Sequence, residues 1–193
     1  MLTVLMLTII LTVIGLAAIT TTTMDMKMAG SEMMRERGES AAESCMSSGV
    51  QIIQQTLANS AIPPALTAAG ANPAVTAAPL QSEIMGYPGF EGLGGTDYAA
   101  PGGVPNAVLK VPTTNPLFNV NMDIDRLYAA IGAGSSAQAS GGYEGTGGAA
   151  AVNIYYRIDC YATTASSGGQ QVSSRITGVY MCKQTGDSCQ RKI

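Results

Sequence analysis

Cys45, Cys160, Cys182 and Cys189 are the most reactive side chains in this sequence. No two of them form a C-x-x-C pair, and the chain contains no histidine. A zinc site of ordinary ligand spacing is therefore not expected, nor is any Ser-His-Asp, Cys-His or imidazole-based proton transfer. What remains is disulfide chemistry. Four cysteines allow three pairings, and the sequence does not choose among them. The preferred reading closes a small loop through Cys182 and Cys189 and ties helix to sheet through Cys45 and Cys160; buried free thiols are the alternative. Asn119, Asn121, Asp123 and Asp125 alternate along a strand-like stretch, which would align their oxygens on one face. Oxygen donors suit calcium, but the spacing is not that of a calcium loop, so a solvated strand face is expected. Gly132-Ala-Gly134-Ser-Ser-Ala137 resembles a relaxed dinucleotide fingerprint, yet Gln138-Ala-Ser-Gly-Gly cannot open the helix that such a site requires. With no grouping of nucleophile, base and metal ligands, no enzyme, cofactor or metal is expected.

Charge gives little more. Arg175, Lys183, Arg191 and Lys192 form a small basic group, with Tyr156, Tyr161 and Tyr180 near in sequence. Against a net charge of −3 this reads as a solvated edge, and nucleic acid is not an expected partner. Thr113 and Thr114 are candidates for O-linked glycans, whereas no Asn-x-Ser/Thr site occurs.

The elements that would position these residues fall into four zones. Residues 1–24 carry no charge; as a helix at about 1.5 Å per residue they reach roughly 36 Å, enough to cross a bilayer. No basic leader or small-x-small cleavage site precedes the first charge, Asp25, so a cleavable secretory signal fits poorly. Residues 25–60 are polar, free of proline and amphipathic, and Pro63-Pro64 ends their helix. Residues 61–116 hold all nine prolines and read as an ordered but irregular Pro/Gly/Ala-rich segment. Residues 117–193 show strand patterns from Phe118, from Val152 to Tyr161 and from Val172 to Cys182. A Gly-rich loop from Gly132 and a hairpin loop from Ala165 separate them. The expected fold is α+β: a long N-terminal helix, half apolar and half amphipathic, packed on a small C-terminal antiparallel sheet.

The stretch LTVIGLAAITTTTMDMKMAGSEMMRERGESAAES, from Leu11 to Ser44, resembles the N-terminal region of the PilX-type minor pilins within the type IV pilin family. The features that carry the likeness are Gly15-Leu16-Ala17-Ala18, Thr20 to Thr23, Met28-Ala29-Gly30, Arg35-Glu36-Arg37 and Ala41-Ala42-Glu43. More weakly, YYRIDCYATTASSGGQQVSSRITGVYMC looks like the last hairpin of that group. The resemblance implies a prepilin whose basic leader is removed, leaving Met1 with a methylated amine. Most major pilins carry glutamate at the fifth mature position, where this chain has Leu5, an absence that PilX-type pilins and one class of secretion pseudopilin share.

The resemblance implies a structural subunit of an extracellular type IV pilus-like filament. Its partners would be copies of itself, the inner-membrane assembly machinery and, before assembly, the inner membrane. Met1, Leu5, Ile9, Thr12, Gly15, Leu16 and Ile19 are the expected filament-core residues. Gly15 and the threonine run could partly melt there, because neighbouring subunits can satisfy the freed backbone. Tyr87, Phe90 and Tyr98 could anchor the third zone on the same or a neighbouring subunit. The alternatives are a low-copy minor pilin or pseudopilin that primes or caps a pilus or secretion machine, and a membrane-anchored periplasmic adhesion domain.

Overall fold

The computed structural model describes residues 1–75, 77–86, 103–131, 152–165, 171–185 and 188–191. Tyr87, Phe90, Tyr98, the Gly132–Ala137 motif and Lys192 lie outside them. The chain divides into two units, Met1–Arg37 and Gly38–Ile193.

One helix, α1, runs Leu2–Asn59 without a break. It stops where Ser60 takes a left-handed φ of 52°, a common way to end a helix, and Pro63-Pro64 prevents its resumption. The Pro/Gly/Ala-rich segment, expected to be irregular, contains short regular elements: α2 (Pro64–Thr67), β1 (Ala74–Val75), α3 (Ala77–Met85) and β2 (Ala107–Val111). The long strands follow: β3 (Phe118–Ile131), β4 (Val152–Thr164) and β5 (Ser173–Thr185), then the short β6 (Ser188–Arg191). The result is a six-stranded antiparallel sheet in the order β1-β2-β3-β4-β5-β6, so each strand pairs with its neighbour in sequence.

Side-chain alternation divides the two faces of this sheet. Phe118, Val120, Met122 and Ile124 of β3 and Ile154, Tyr156, Ile158, Cys160 and Ala162 of β4 are buried on one face. The stretch of α1 from Gly38 packs there. Its buried residues, Gly38, Ala41, Ala42, Cys45, Gly49, Ile52, Ile53 and Thr56, recur at three- and four-residue steps and form one stripe. Glycine eases the approach of helix to sheet: a Cβ on Gly49 would sit 3.0 Å from Ile158 Cγ2, tighter than ordinary van der Waals contact. At Gly178 a Cβ would collide with Met46 Cε.

The opposite face corrects one expectation. Asp123 and Asp125 are buried rather than solvated, as is Asp159, which lies opposite Asp123 in register. For Asp125 and Asp159 the partner is a cross-strand arginine. Arg157 stands opposite Asp125 and binds it, Nε to Oδ2 at 2.9 Å and Nη2 to Oδ2 at 2.5 Å. Arg175 grips Asp159 through Nε and Nη2, and Thr177 Oγ1 donates to the same carboxylate at 2.9 Å.

Candidate functional site

The feature with the clearest functional chemistry is the N-terminal half of α1. Every side chain from Met1 to Ala29 is exposed. Met1, Leu5, Ile9, Leu16 and Ile19 all belong to this stretch and, at steps of three, four and seven residues, share one side of the helix, while exposed Val4, Met6, Leu7, Ile10, Val13 and Ile14 make the rest of it apolar. An uncharged helix apolar on all sides is stable only in lipid or inside a bundle. This one is long and apolar enough to cross a membrane.

Its threonines are compatible with that environment. Thr8 Oγ1 donates to Leu5 O at 2.9 Å, and Thr12 Oγ1 to Ile9 O at 2.8 Å. Thr20, Thr21, Thr22 and Thr23 likewise donate to carbonyls of the preceding turn at 2.8–2.9 Å. Each of these six hydroxyls therefore enters an apolar medium already bonded, which avoids the cost of an unmatched donor there. Gly15 meets nothing within 4 Å of where a Cβ would stand, so the chain itself gives no reason for its small size. The first turn closes with Leu5 N–H donating to Met1 O at 3.3 Å.

The second unit is held by different means. Cys45 of α1 and Cys160 of β4 form a disulfide, Cα to Cα 6.1 Å, joining positions 115 residues apart. Gln54 Nε2 donates to Tyr180 Oη at 3.0 Å, a further link between α1 and the sheet. Cys182 is buried in β5 and disulfide-bonded; the side chain of Cys189, its expected partner, lies outside the described residues.

The edge of β3 beyond β2 is closed by residues that sequence reasoning did not single out. Asn106 Oδ1 accepts from Ile124 N–H at 2.6 Å, replacing the ladder bond that β2 no longer supplies. Its Nδ2 donates to Glu83 Oε2 of α3 at 3.2 Å. Tyr156 Oη donates to Ile84 O at 2.9 Å, and Arg126 Nη1 to Met85 O at 2.8 Å. The sequence signal for this arrangement was the polarity of Glu83 and Asn106 in a segment with few charges.

These surroundings tune the ionisable groups in opposite senses. Burial pushes the Asp125 carboxyl up, and Arg157 offsets only part of that. Burial also opposes the charge on Asp159, but hydrogen bonds from Arg175 and Thr177, with the arginine charges, hold its carboxyl below the usual carboxylate range. Burial raises the Tyr156 phenol to about 12, so it serves as a neutral donor. Among the described residues, no group of three or more His, Cys, Asp or Glu is placed to hold a metal ion. Asp125 and Asp159 form ion pairs within the sheet, with Arg157 and Arg175.

Residues 1–45 match the protein family described as PilX N-terminal. No curated protein and no solved structure matches the chain. The matched segment covers the exposed apolar helix and ends at Cys45, where α1 is fastened to the sheet. Residues 1–45 are therefore similar to the N-terminal segment of the PilX-type type IV minor pilins.

Proposed function

We propose that this chain is a structural subunit of an extracellular type IV pilus-like filament and assembles through residues 1–24. The observation that carries the reading is the continuous, uncharged and wholly exposed helix surface from Met1 to Met24, joined to a folded α+β unit. Before assembly this surface rests in the inner membrane. Moving it from bilayer to filament core keeps it away from water throughout, so the transfer costs little. Met1, Leu5, Ile9, Thr12, Gly15, Leu16 and Ile19 face neighbouring copies in the core, and the open space at Gly15 lets another helix approach closely. With Leu5 in place of glutamate, apolar packing replaces a charge pair with a neighbour's N-terminal amine. The inner-membrane assembly machinery is the second partner.

The PilX-type N-terminus supports a second reading, a low-copy subunit that primes or caps the filament. Quantitative mass spectrometry of sheared, purified filaments separates the two. A repeating subunit accounts for most of the filament mass, whereas a priming or capping subunit is present at about one to a few copies per filament. Retention wholly in the membrane fraction contradicts both.

A further inference from the structure

β5 is bordered unequally on its two sides. Toward β4 it is paired from Ser173 to Gln184. On the other side β6 pairs with it only from Cys182 to Thr185. Thr164 N–H donates to Val172 O at 3.2 Å, which identifies that pair as hydrogen-bonded. Such pairs alternate along an antiparallel ladder, and the register continues without a break, so the even-numbered residues of β5 bond to β4. The N–H and C=O groups of Ser173, Arg175, Thr177 and Val179 therefore point outward. Among the described residues no strand pairs with them. Among the described residues this unpaired edge is roughly nine residues, or about 30 Å, long. Val179 on it is 64% exposed.

A groove of about 510 Å³ runs beside this edge on the helix-covered face. Met46, Ser47, Val50, Gln51 and Gln54 of α1 and Tyr180 of β5 line it. No lining residue is charged. β5 itself carries Arg175 and Lys183 and no acid. Arg175 binds Asp159 through Nε and Nη2, which leaves Nη1 outside that pair, and its side chain is 52% exposed.

We propose that the free edge of β5 binds an extended strand of a partner polypeptide. The strand adds to the sheet in line with β6, places small apolar side chains in the groove and presents acidic side chains to Arg175. Backbone bonds to Arg175, Thr177 and Val179 supply the affinity, and the groove and the cation supply the selectivity. A second copy of β5 fits less well: it brings its own α1 to the same face, as Met46 against Gly178 shows, and supplies no acid. The inference concerns the second unit alone and does not depend on the filament reading.

The test uses the full chain in detergent micelles and an acetylated, amidated nonapeptide that alternates Ala or Val with Asp. Amide hydrogen exchange is followed residue by residue. The expected result is at least about tenfold slower exchange at Arg175, Thr177 and Val179, with Ile176 and Gly178 unchanged because β4 already protects them. A peptide of the same composition with its Asp residues in one block has no such effect. Thr177→Pro, which removes one outward donor, abolishes the protection, and Thr177→Val retains it. If Thr177→Pro does not fold, the wild-type exchange pattern decides. Absence of peptide-dependent protection overturns the proposal. So does protection that rises with protein concentration alone, which marks a second copy, or that appears with phosphatidylglycerol vesicles instead of peptide.

Discussion

Gly49 of α1 lies against Ile158 of β4 so closely that a Cβ would be 3.0 Å from Cγ2 and 3.3 Å from Cδ1. Gly15, on the same helix, has nothing within 4 Å. Two glycines on one helix therefore have different reasons to be small, and substitution separates them. Gly49→Ala crowds the fully buried Ile158 at a cost of about 1–3 kcal/mol, against about 1 kcal/mol gained in helix propensity, and so lowers the stability of the second unit by up to about 2 kcal/mol. Gly15→Ala leaves that stability unchanged, or raises helicity slightly, but reduces filament yield. Thermal unfolding and a shearing assay read the two effects.

The Cys45–Cys160 bond closes a loop of 115 residues between α1 and β4. On the chain-entropy argument its removal costs about 3–5 kcal/mol. Cys45→Ala with Cys160→Ala is expected to lower the denaturation midpoint accordingly. The single Cys45→Ala variant leaves a buried thiol at Cys160 and is no more stable than the double variant. Chemical denaturation under oxidising conditions checks both.

Asp159 and Asp125 predict opposite pH behaviour. The carboxyl of Asp159 is held below its ordinary value of 3.8 in the folded state. Its stabilising contribution is therefore complete above that value and is lost as pH falls through the lower, folded value. Asp125 has a raised folded value, so its contribution is greatest below 3.8 and is lost as pH rises through that raised value. Asp159→Asn lowers stability at neutral pH and flattens the acid limb of the stability curve. Asp125→Asn removes the decline just above the ordinary carboxylate range. Unfolding midpoints measured between about pH 2 and pH 7 distinguish the two variants.

The apolar helix gives the strongest prediction about assembly. Ile9→Asp places a charge in the middle of the exposed apolar stretch, at a cost of about 2.5–3.5 kcal/mol in a bilayer-like medium. Filament incorporation is expected to fall by at least about tenfold, while the second unit keeps its midpoint and its Cys45–Cys160 bond. Immunoblots of sheared and cell-bound fractions measure this.

How much was legible in the sequence follows from the range of each interaction. The uncharged run to Met24, the continuation of the helix and its stop before Pro63-Pro64 are local signals, and α1 follows them closely. Alternation marked the three long strands, and the N-terminal motifs marked the PilX-type likeness. The burial of Asp123 and Asp125 was not legible. Alternation separates two faces but does not say what covers the polar one; that depends on Arg157 and Arg175 arriving opposite or diagonal in a register set far along the chain. The elements within residues 61–116 were missed for a similar reason. α3 and β2 are short, and Asn106 and Glu83 hold them through contacts that no periodic pattern announces.

Electron cryo-microscopy of filaments sheared from producing cells, with helical reconstruction, tests the central claim most directly. The account predicts density fitting this chain at every subunit, with Met1, Leu5 and Ile9 buried near the axis and local melting around Gly15 and the threonine run. Filaments built from a different pilin, with this chain absent or confined to one end, would contradict the repeating-subunit reading. Continuous helix through residues 15–23 in an otherwise matching filament would contradict the melting alone.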